Sequence, residues 1–132
     1  MPRRHGESQS QQAVRKWFDI AYRGLRVNDP RLLFAIPNGG ARTWLQGAIL
    51  QGEGVRKGVP DLFLAVPSPV HGGRARHGLF IEMKTWTGRV SYEQMEMMMV
   101  LRDQGYECVV ARGFDQAVRA ITQYLEGKEV LL

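Results

Sequence analysis

The spacing of apolar residues predicts a first helix from Ser8 to Leu25. Apolar positions recur there at intervals of three and four residues, as they do on one face of an amphipathic helix. The positions concerned are Val14, Trp17, Phe18, Ala21 and Leu25. This helix should therefore pack one face against a core.

Short apolar runs closed by Pro and Gly predict strands. The four runs are Leu32 to Ile36, Asp61 to Val66, Leu79 to Lys84 and Tyr106 to Ala111. Pro60 opens the second run, at a position where a strand tolerates proline. Between the second and third runs, the Pro- and Gly-rich segment from Pro67 to Gly78 predicts an exposed, mobile hairpin loop, so these two strands should be antiparallel neighbours.

Three further segments are predicted to be helical, from about Arg42 to Gln51, from Ser91 to Gln104 and from Phe114 to Leu125. The resulting order of helices and strands indicates an α/β fold with a mixed sheet covered by helices. With 132 residues and no linker, we expect a single domain over 1–132, with a core at about 7–126 and a short tail at 127–132.

Composition narrows the function classes. The chain is 44% hydrophobic and 23% charged, which excludes a disordered or fibrous protein. Its net charge of +5 favours a polyanionic partner such as nucleic acid.

The sequence also bears on where the protein is located. No apolar run approaches the roughly 18 residues of a membrane span, and the first residues lack a signal peptide, so we expect a cytoplasmic protein without a membrane partner. The single cysteine, Cys108, lies in an apolar run and should be buried.

The third predicted strand carries a candidate catalytic pair. Strand alternation places Ile81 and Met83 on one face, and Glu82 and Lys84 on the other. Asp61 stands at the start of the preceding strand, so a hairpin would bring it to Glu82. Two carboxylates suit Mg²⁺ or Mn²⁺, and Lys84 could hold a water or stabilise charge on a phosphate. The alternative is that Asp61 only begins a strand, and that Glu82 and Lys84 form a surface ion pair.

These residues also carry a family resemblance. Pro60-Asp61 followed by Glu82-Met83-Lys84 is the pattern of the PD-(D/E)XK nucleases. Four ordered blocks resemble its VRR-NUC branch, the virus-type replication-repair nucleases, from about Glu7 to Ala111. The blocks are Ile36 to Gly40, Gly58 to Leu62, Ile81 to Lys84 and Ser91 to Gln94.

The resemblance implies a restriction-endonuclease-like sheet flanked by helices and a phosphodiester-hydrolysing endodeoxyribonuclease that uses Mg²⁺ or Mn²⁺. It further implies branched DNA substrates such as four-way junctions or flaps, a homodimer, a role in DNA repair or recombination, and a phage or prophage origin. The catalytic residues it implies are Asp61, Glu82, Lys84 and Gln94. The metal ligands it implies are Asp61 and Glu82, with Glu7 and the Met83 backbone carbonyl as further candidates.

Glu7 and Gln94 can also be read from their spacing. On a continuous helix Glu7 would share the core-facing stripe of Val14 and Phe18, although it could equally be a first-turn glutamate favoured by the helix dipole or part of a frayed terminus. Gln94 should turn toward the buried side of its helix, and the resemblance implies that it lies beside the catalytic lysine. It also fits a capping box with Ser91, and the two roles are compatible.

For DNA contact we expect Arg42, Arg56 and Lys57, which flank glycine-rich segments next to the motif. Second choices are Arg74, Arg76 and Arg89. The main alternative to a nuclease is a non-catalytic DNA-binding module of a replication or recombination complex. A basic scaffold for another protein is a third possibility, and it predicts no salt-dependent DNA affinity.

Overall fold

The structure is a computed structural model that describes residues 5–37 and 43–132, with the backbone alone at residues 5 and 69–71. Its helices are α1 (His5–Ala21), α2 (Trp44–Gly52), α3 (Tyr92–Asp103) and α4 (Phe114–Leu125). Its strands are β1 (Leu33–Ala35), β2 (Leu62–Leu64), β3 (Ser68–His71), β4 (Arg74–Arg76), β5 (Leu79–Lys84) and β6 (Glu107–Arg112). Every helix and strand expected from the sequence is present, and β3 and β4 are additional.

A four-stranded sheet of order β1-β2-β5-β6 forms the centre of the fold. The β1/β2 and β2/β5 pairs are antiparallel, and β5 runs parallel to β6. The predicted mixed α/β sheet and the predicted antiparallel pairing of the second and third expected strands are thus confirmed. Leu62 pairs with Ile81, and this register determines where the motif residues meet.

Strand β5 lies between two apolar clusters because its side chains alternate between the two faces of the sheet. Ile81 and Met83 are fully buried in the larger cluster, together with residues of α1 and α4. Phe80 lies in the smaller cluster with Met98 of α3 and with Cys108. Cys108 is only 2% exposed, as expected, and burial raises the pKa of its thiol to about 11.

The segment predicted to be an exposed, mobile loop is instead a small hairpin of β3 and β4 that turns at Gly72 and Gly73. The prediction is wrong at Ser68 and Arg76, which are buried. The Arg76 guanidinium ties the hairpin to the end of α4 and to the tail. It donates hydrogen bonds to Glu107 Oε1 (3.1 Å), Lys128 O (3.0 Å), Ser68 Oγ (2.7 Å) and Tyr124 O (3.3 Å). Arg76 is therefore not available for DNA contact, whereas Arg74 is exposed.

Helix α1 ends at Ala21, short of the predicted Leu25. The chain closes the helix with a residue in the left-handed conformation, Arg26 (φ 66°), and a hydrogen bond of 2.9 Å from Val27 N to Tyr22 O.

Helix α2 has no buried residue although it is rich in apolar side chains. None of the described helices is long and apolar enough to cross a membrane.

Candidate active site

Asp61 is held at the start of β2 by the chain before it and by strand β5. Pro60 is fully buried and Asp61 is 8% exposed. Since Leu62 pairs with Ile81, Asp61 lies opposite Glu82, one step further along both strands. Its Oδ2 accepts a hydrogen bond of 2.8 Å from the Met83 N–H. The Asp61 carboxylate is thus fixed to the backbone between Glu82 and Lys84.

Glu82 and Lys84 project from the same face of β5, as the alternation predicts. Their side chains are 4% and 12% exposed, and Lys84 Nζ lies 3.6 Å from Glu82 Oε2. These exposures are too low for the alternative of a solvated surface pair. Moving a carboxylate out of water costs several kcal/mol unless cations or hydrogen-bond donors surround it. A surface ion pair therefore does not explain why Glu82 and Lys84 are so little exposed.

Gln94 uses both ends of its amide group at this position. Its Nε2 donates to Glu82 Oε2 at 3.0 Å. Its Oε1 accepts from the Ser91 N–H at 2.9 Å, while Ser91 Oγ accepts from the Gln94 N–H at 3.1 Å. The capping box expected for Gln94 is therefore present, and it orients the amide so that its donor end faces Glu82. The expected neighbour of this amide was Lys84, whereas its hydrogen bond is to Glu82.

Glu7 lies in the first turn of α1 and is 9% exposed, so the frayed-terminus alternative is wrong. A Cβ placed on Gly88 would lie 3.4 Å from Glu7 Oε1 and 3.4 Å from Lys84 Cδ. The Glu7 carboxylate therefore borders the Lys84 side chain across Gly88. Within the described residues, no group of three or more His, Cys, Asp or Glu side chains could hold a metal ion together.

The donor set of the site fits a hard divalent cation. Asp61 and Glu82 supply carboxylate oxygens on facing strands, and Mg²⁺ binds in proteins through one or two carboxylates while keeping several waters. The Met83 backbone lies between the two carboxylates, and its N–H already orients Asp61. The carboxylates of Asp61 and Glu82 are thus the candidate metal ligands that the described structure already places on facing strands.

The candidate DNA-contact residues lie in different surroundings. Arg56, Lys57 and Arg89 are exposed, and the first two directly precede the Gly58 to Asp61 segment. Arg42 lies outside the described residues. The exposed cations therefore flank the motif on both the β2 side and the β5 side, where phosphate groups could approach it.

Two features of the site were missed in the sequence. Gly58 adopts φ 86° and packs against the Glu93–Gln94 peptide of α3, which joins the Asp61 segment to the helix that carries Gln94. Arg112 donates hydrogen bonds to backbone carbonyls of the loop after Lys84. An isolated glycine ahead of Val59-Pro60 was a usable signal for the first feature, whereas nothing local in the sequence indicated the second.

Comparison with known proteins agrees with this geometry. The family model described as the VRR-NUC domain matches residues 5–115, which include Glu7, Asp61, Glu82, Lys84 and Gln94. The chain therefore belongs to the VRR-NUC family, and its fold is of the nuclease, DNA-processing type.

A solved structure described as a VRR_NUC domain protein is similar over almost the whole of both chains. It has a TM-score of 0.73 at 24% sequence identity and covers 98% of this chain and 99% of its own. This similarity supports the restriction-endonuclease-like fold. None of the curated proteins compared with the chain matches it.

Proposed function

We propose that the protein is a divalent-metal-dependent endodeoxyribonuclease that hydrolyses phosphodiester bonds in branched DNA. One observation carries the proposal. Glu82 Oε2 contacts both Lys84 Nζ and Gln94 Nε2, while the Asp61 carboxylate is fixed opposite by the Met83 N–H. Two buried carboxylates with a partly buried amide and ammonium, beside exposed cations, suit hydrolysis of a phosphodiester.

Each residue has a role that its contacts support. Asp61 and Glu82 would hold Mg²⁺ or Mn²⁺, with the Met83 carbonyl as a further candidate ligand, and Glu7 would lie behind these ligands because no group of three such side chains in the described residues is arranged to share a metal ion. When bound, such an ion polarises a phosphoryl oxygen and lowers the pKa of water. Lys84 places its positive charge where the attacking water is oriented and where negative charge develops on the phosphate. Gln94 holds the Glu82 carboxylate in one orientation by its hydrogen bond.

Branched DNA is the proposed substrate class, and it extends the resemblance noted in the sequence. The small domain offers exposed cations around the motif, such as Arg56, Lys57 and Arg89, which suit contacts to phosphates of differently oriented DNA arms. Contacts of this kind position DNA without reading its sequence. We therefore expect recognition of DNA shape.

We further propose a homodimer in which α2 is covered by a second copy of the chain. Trp44, Leu45 and Ile49 of α2 are 86%, 60% and 52% exposed. A short helix gains most of its stability from packing an apolar face, and large exposed apolar patches commonly mark protein interfaces.

Sedimentation of two variants tests the homodimer. Ile49→Glu should convert dimers to monomers. Ile20→Glu on α1 is the control and should leave dimers intact, because Ile20 is also exposed (85%) but lies outside α2. A wild-type monomer at micromolar concentration would contradict the homodimer.

The direct test is cleavage of labelled four-way junction, flap, single-stranded and linear duplex DNA with Mg²⁺ or Mn²⁺, with an EDTA control. We expect metal-dependent cleavage that is faster on branched than on linear duplex DNA. Tight, salt-sensitive binding without cleavage of any substrate would instead support the non-catalytic DNA-binding module.

A further inference from the structure

The loop that follows Lys84 presents a tryptophan to solvent. Thr85 to Gly88 forms a turn closed by a hydrogen bond of 3.2 Å from Gly88 N to Thr85 O. Trp86 occupies a corner of this turn and is 74% exposed. Tryptophan is usually well buried on average, so an indole held in water at a turn corner requires an explanation.

Arg112 of β6 fixes the backbone beneath this indole. Its Nη1 donates to Thr85 O and to Gly88 O, each at 2.7 Å, and lies 3.3 Å from Trp86 O. The guanidinium therefore binds both ends of the turn. The Trp86 backbone is anchored while the ring stays exposed. Because the backbone is already ordered, a ligand that binds the ring would cost the loop little conformational entropy.

The same turn lies against the candidate active site. Gly88 packs against both Glu7 and Lys84, since a Cβ there would be 3.4 Å from an atom of each. The segment from Thr85 to Ser91 contains one arginine, Arg89, and no acidic residue. A negatively charged backbone could therefore approach this loop without repulsion from the loop itself.

We propose that Trp86 stacks on an unpaired nucleobase of the DNA whose backbone occupies the Asp61–Glu82–Lys84 site. The inference deepens the proposed nuclease function and rests on it. Aromatic side chains stack on the exposed faces of single-stranded bases with little sequence preference, whereas bases inside a duplex are already stacked on their neighbours. Trp86 would thus favour DNA with unpaired bases at a branch, and Arg112 is the positioning residue that holds it.

The test compares the affinities for a flap substrate and for a fully paired duplex of the same length, in EDTA so that no cleavage occurs. Trp86→Ala should weaken flap binding about tenfold or more and change duplex binding less than about twofold, while Trp86→Phe should retain most of the flap affinity. Ile20→Ala, which removes an exposed apolar side chain on α1, serves as the control and should change neither affinity.

Intrinsic fluorescence gives a second readout. Flap DNA should quench the tryptophan emission of the wild type and quench it less in Trp86→Phe, which keeps Trp17 and Trp44. Arg112→Lys keeps the charge but loses the planar, forked donor group, so it should reduce the flap-to-duplex affinity ratio as Trp86→Ala does. A destabilising effect alone would lower both affinities and leave that ratio unchanged.

The outcomes separate this inference from the proposed function. Wild type that binds neither DNA would contradict the nuclease proposal itself. Wild type that binds both, with Trp86→Ala unchanged or equally weakened on both, would overturn the stacking role alone. A loss of dimers in sedimentation of Trp86→Ala would also overturn it, because the indole would then contact a second copy of the chain.

Discussion

The backbone of Gly58 lies directly against the Glu93–Gln94 peptide. A Cβ at position 58 would overlap the Glu93 carbonyl group, 2.7 Å from its carbon, and would lie 3.1 Å from Gln94 N. This contact connects the segment that leads to Asp61 with the first turn of α3. The spacing between Asp61 and Gln94 therefore depends on the absence of a side chain at Gly58.

Gly58→Ala should impair cleavage and lower stability together. We expect a loss of about 2 kcal/mol in the free energy of unfolding from the strained positive φ and the overlap. A displacement of about 1 Å at a reacting group can reduce the rate about 100-fold, and cleavage should fall on that scale. Gly54→Ala is the matched control, because Gly54 also has a positive φ of 110° but has nothing within 4 Å of an added Cβ. Equal cleavage by the two variants would contradict the proposed spacing role of Gly58.

Gln94→Glu should separate the capping role from the active-site role. A glutamate keeps an acceptor for the Ser91 N–H but loses the N–H that binds Glu82 and adds a second negative charge there. We expect the cleavage rate to fall roughly 10- to 100-fold, as for partners that orient metal ligands. Gln46→Glu is the control, because Gln46 forms the same capping box with Thr43 in α2; its cleavage rate should stay within about twofold of wild type.

The sequence predicted how Asp61, Glu82 and Lys84 are arranged because the strand alternation and the hairpin register are local properties. Strand β5 is long enough for its period of two to place Glu82 and Lys84 on one face, and a hairpin brought Asp61 opposite Glu82. Gly58 and Arg112 act across larger separations in the chain. The positive φ of Gly58 matters only because α3 packs on it, and no pattern around Arg112 indicates which carbonyls it meets.

The fold was predictable to a similar extent. Helix α4 begins and ends where its apolar period predicts, at Phe114 and Leu125. The hairpin of β3 and β4 was missed because its Pro and Gly content is typical of a loop. Its order depends on Arg76, whose hydrogen-bond acceptors lie up to 52 residues away in the chain.

Arg76→Lys should destabilise the protein without a direct effect on the active site. A lysine cannot replace the forked hydrogen bonds of a guanidinium that is 3% exposed. We expect a loss of about 2 kcal/mol or more in the free energy of unfolding, measured by urea denaturation. Arg74→Lys, at an exposed position of the same strand, should change it by less than about 0.5 kcal/mol. A similar loss in both variants would show that the Arg76 contacts contribute little.

The Cys108 thiol should be unreactive in the folded protein. Burial raises its pKa from 9.0 to about 11, so it remains protonated at pH 8, and a thiolate is the reactive form. Because the folded-state pKa is raised, this group's contribution to stability is present below about pH 9 and is lost as the pH rises toward 11. A disulfide reagent at pH 8 should label denatured protein rapidly and native protein slowly. Rapid labelling of native protein would contradict the burial of this strand.

The most direct test of the account is single-turnover cleavage of a DNA flap or junction by Lys84→Ala at saturating protein with Mg²⁺. We expect cleavage to fall at least about 100-fold, with DNA affinity within about threefold of wild type, because Lys84 is largely buried and acts at the reacting phosphate. Lys16→Ala, which removes an exposed lysine on α1, is the control and should cleave like wild type. Cleavage by Lys84→Ala at the wild-type rate would contradict the catalytic role assigned to Lys84.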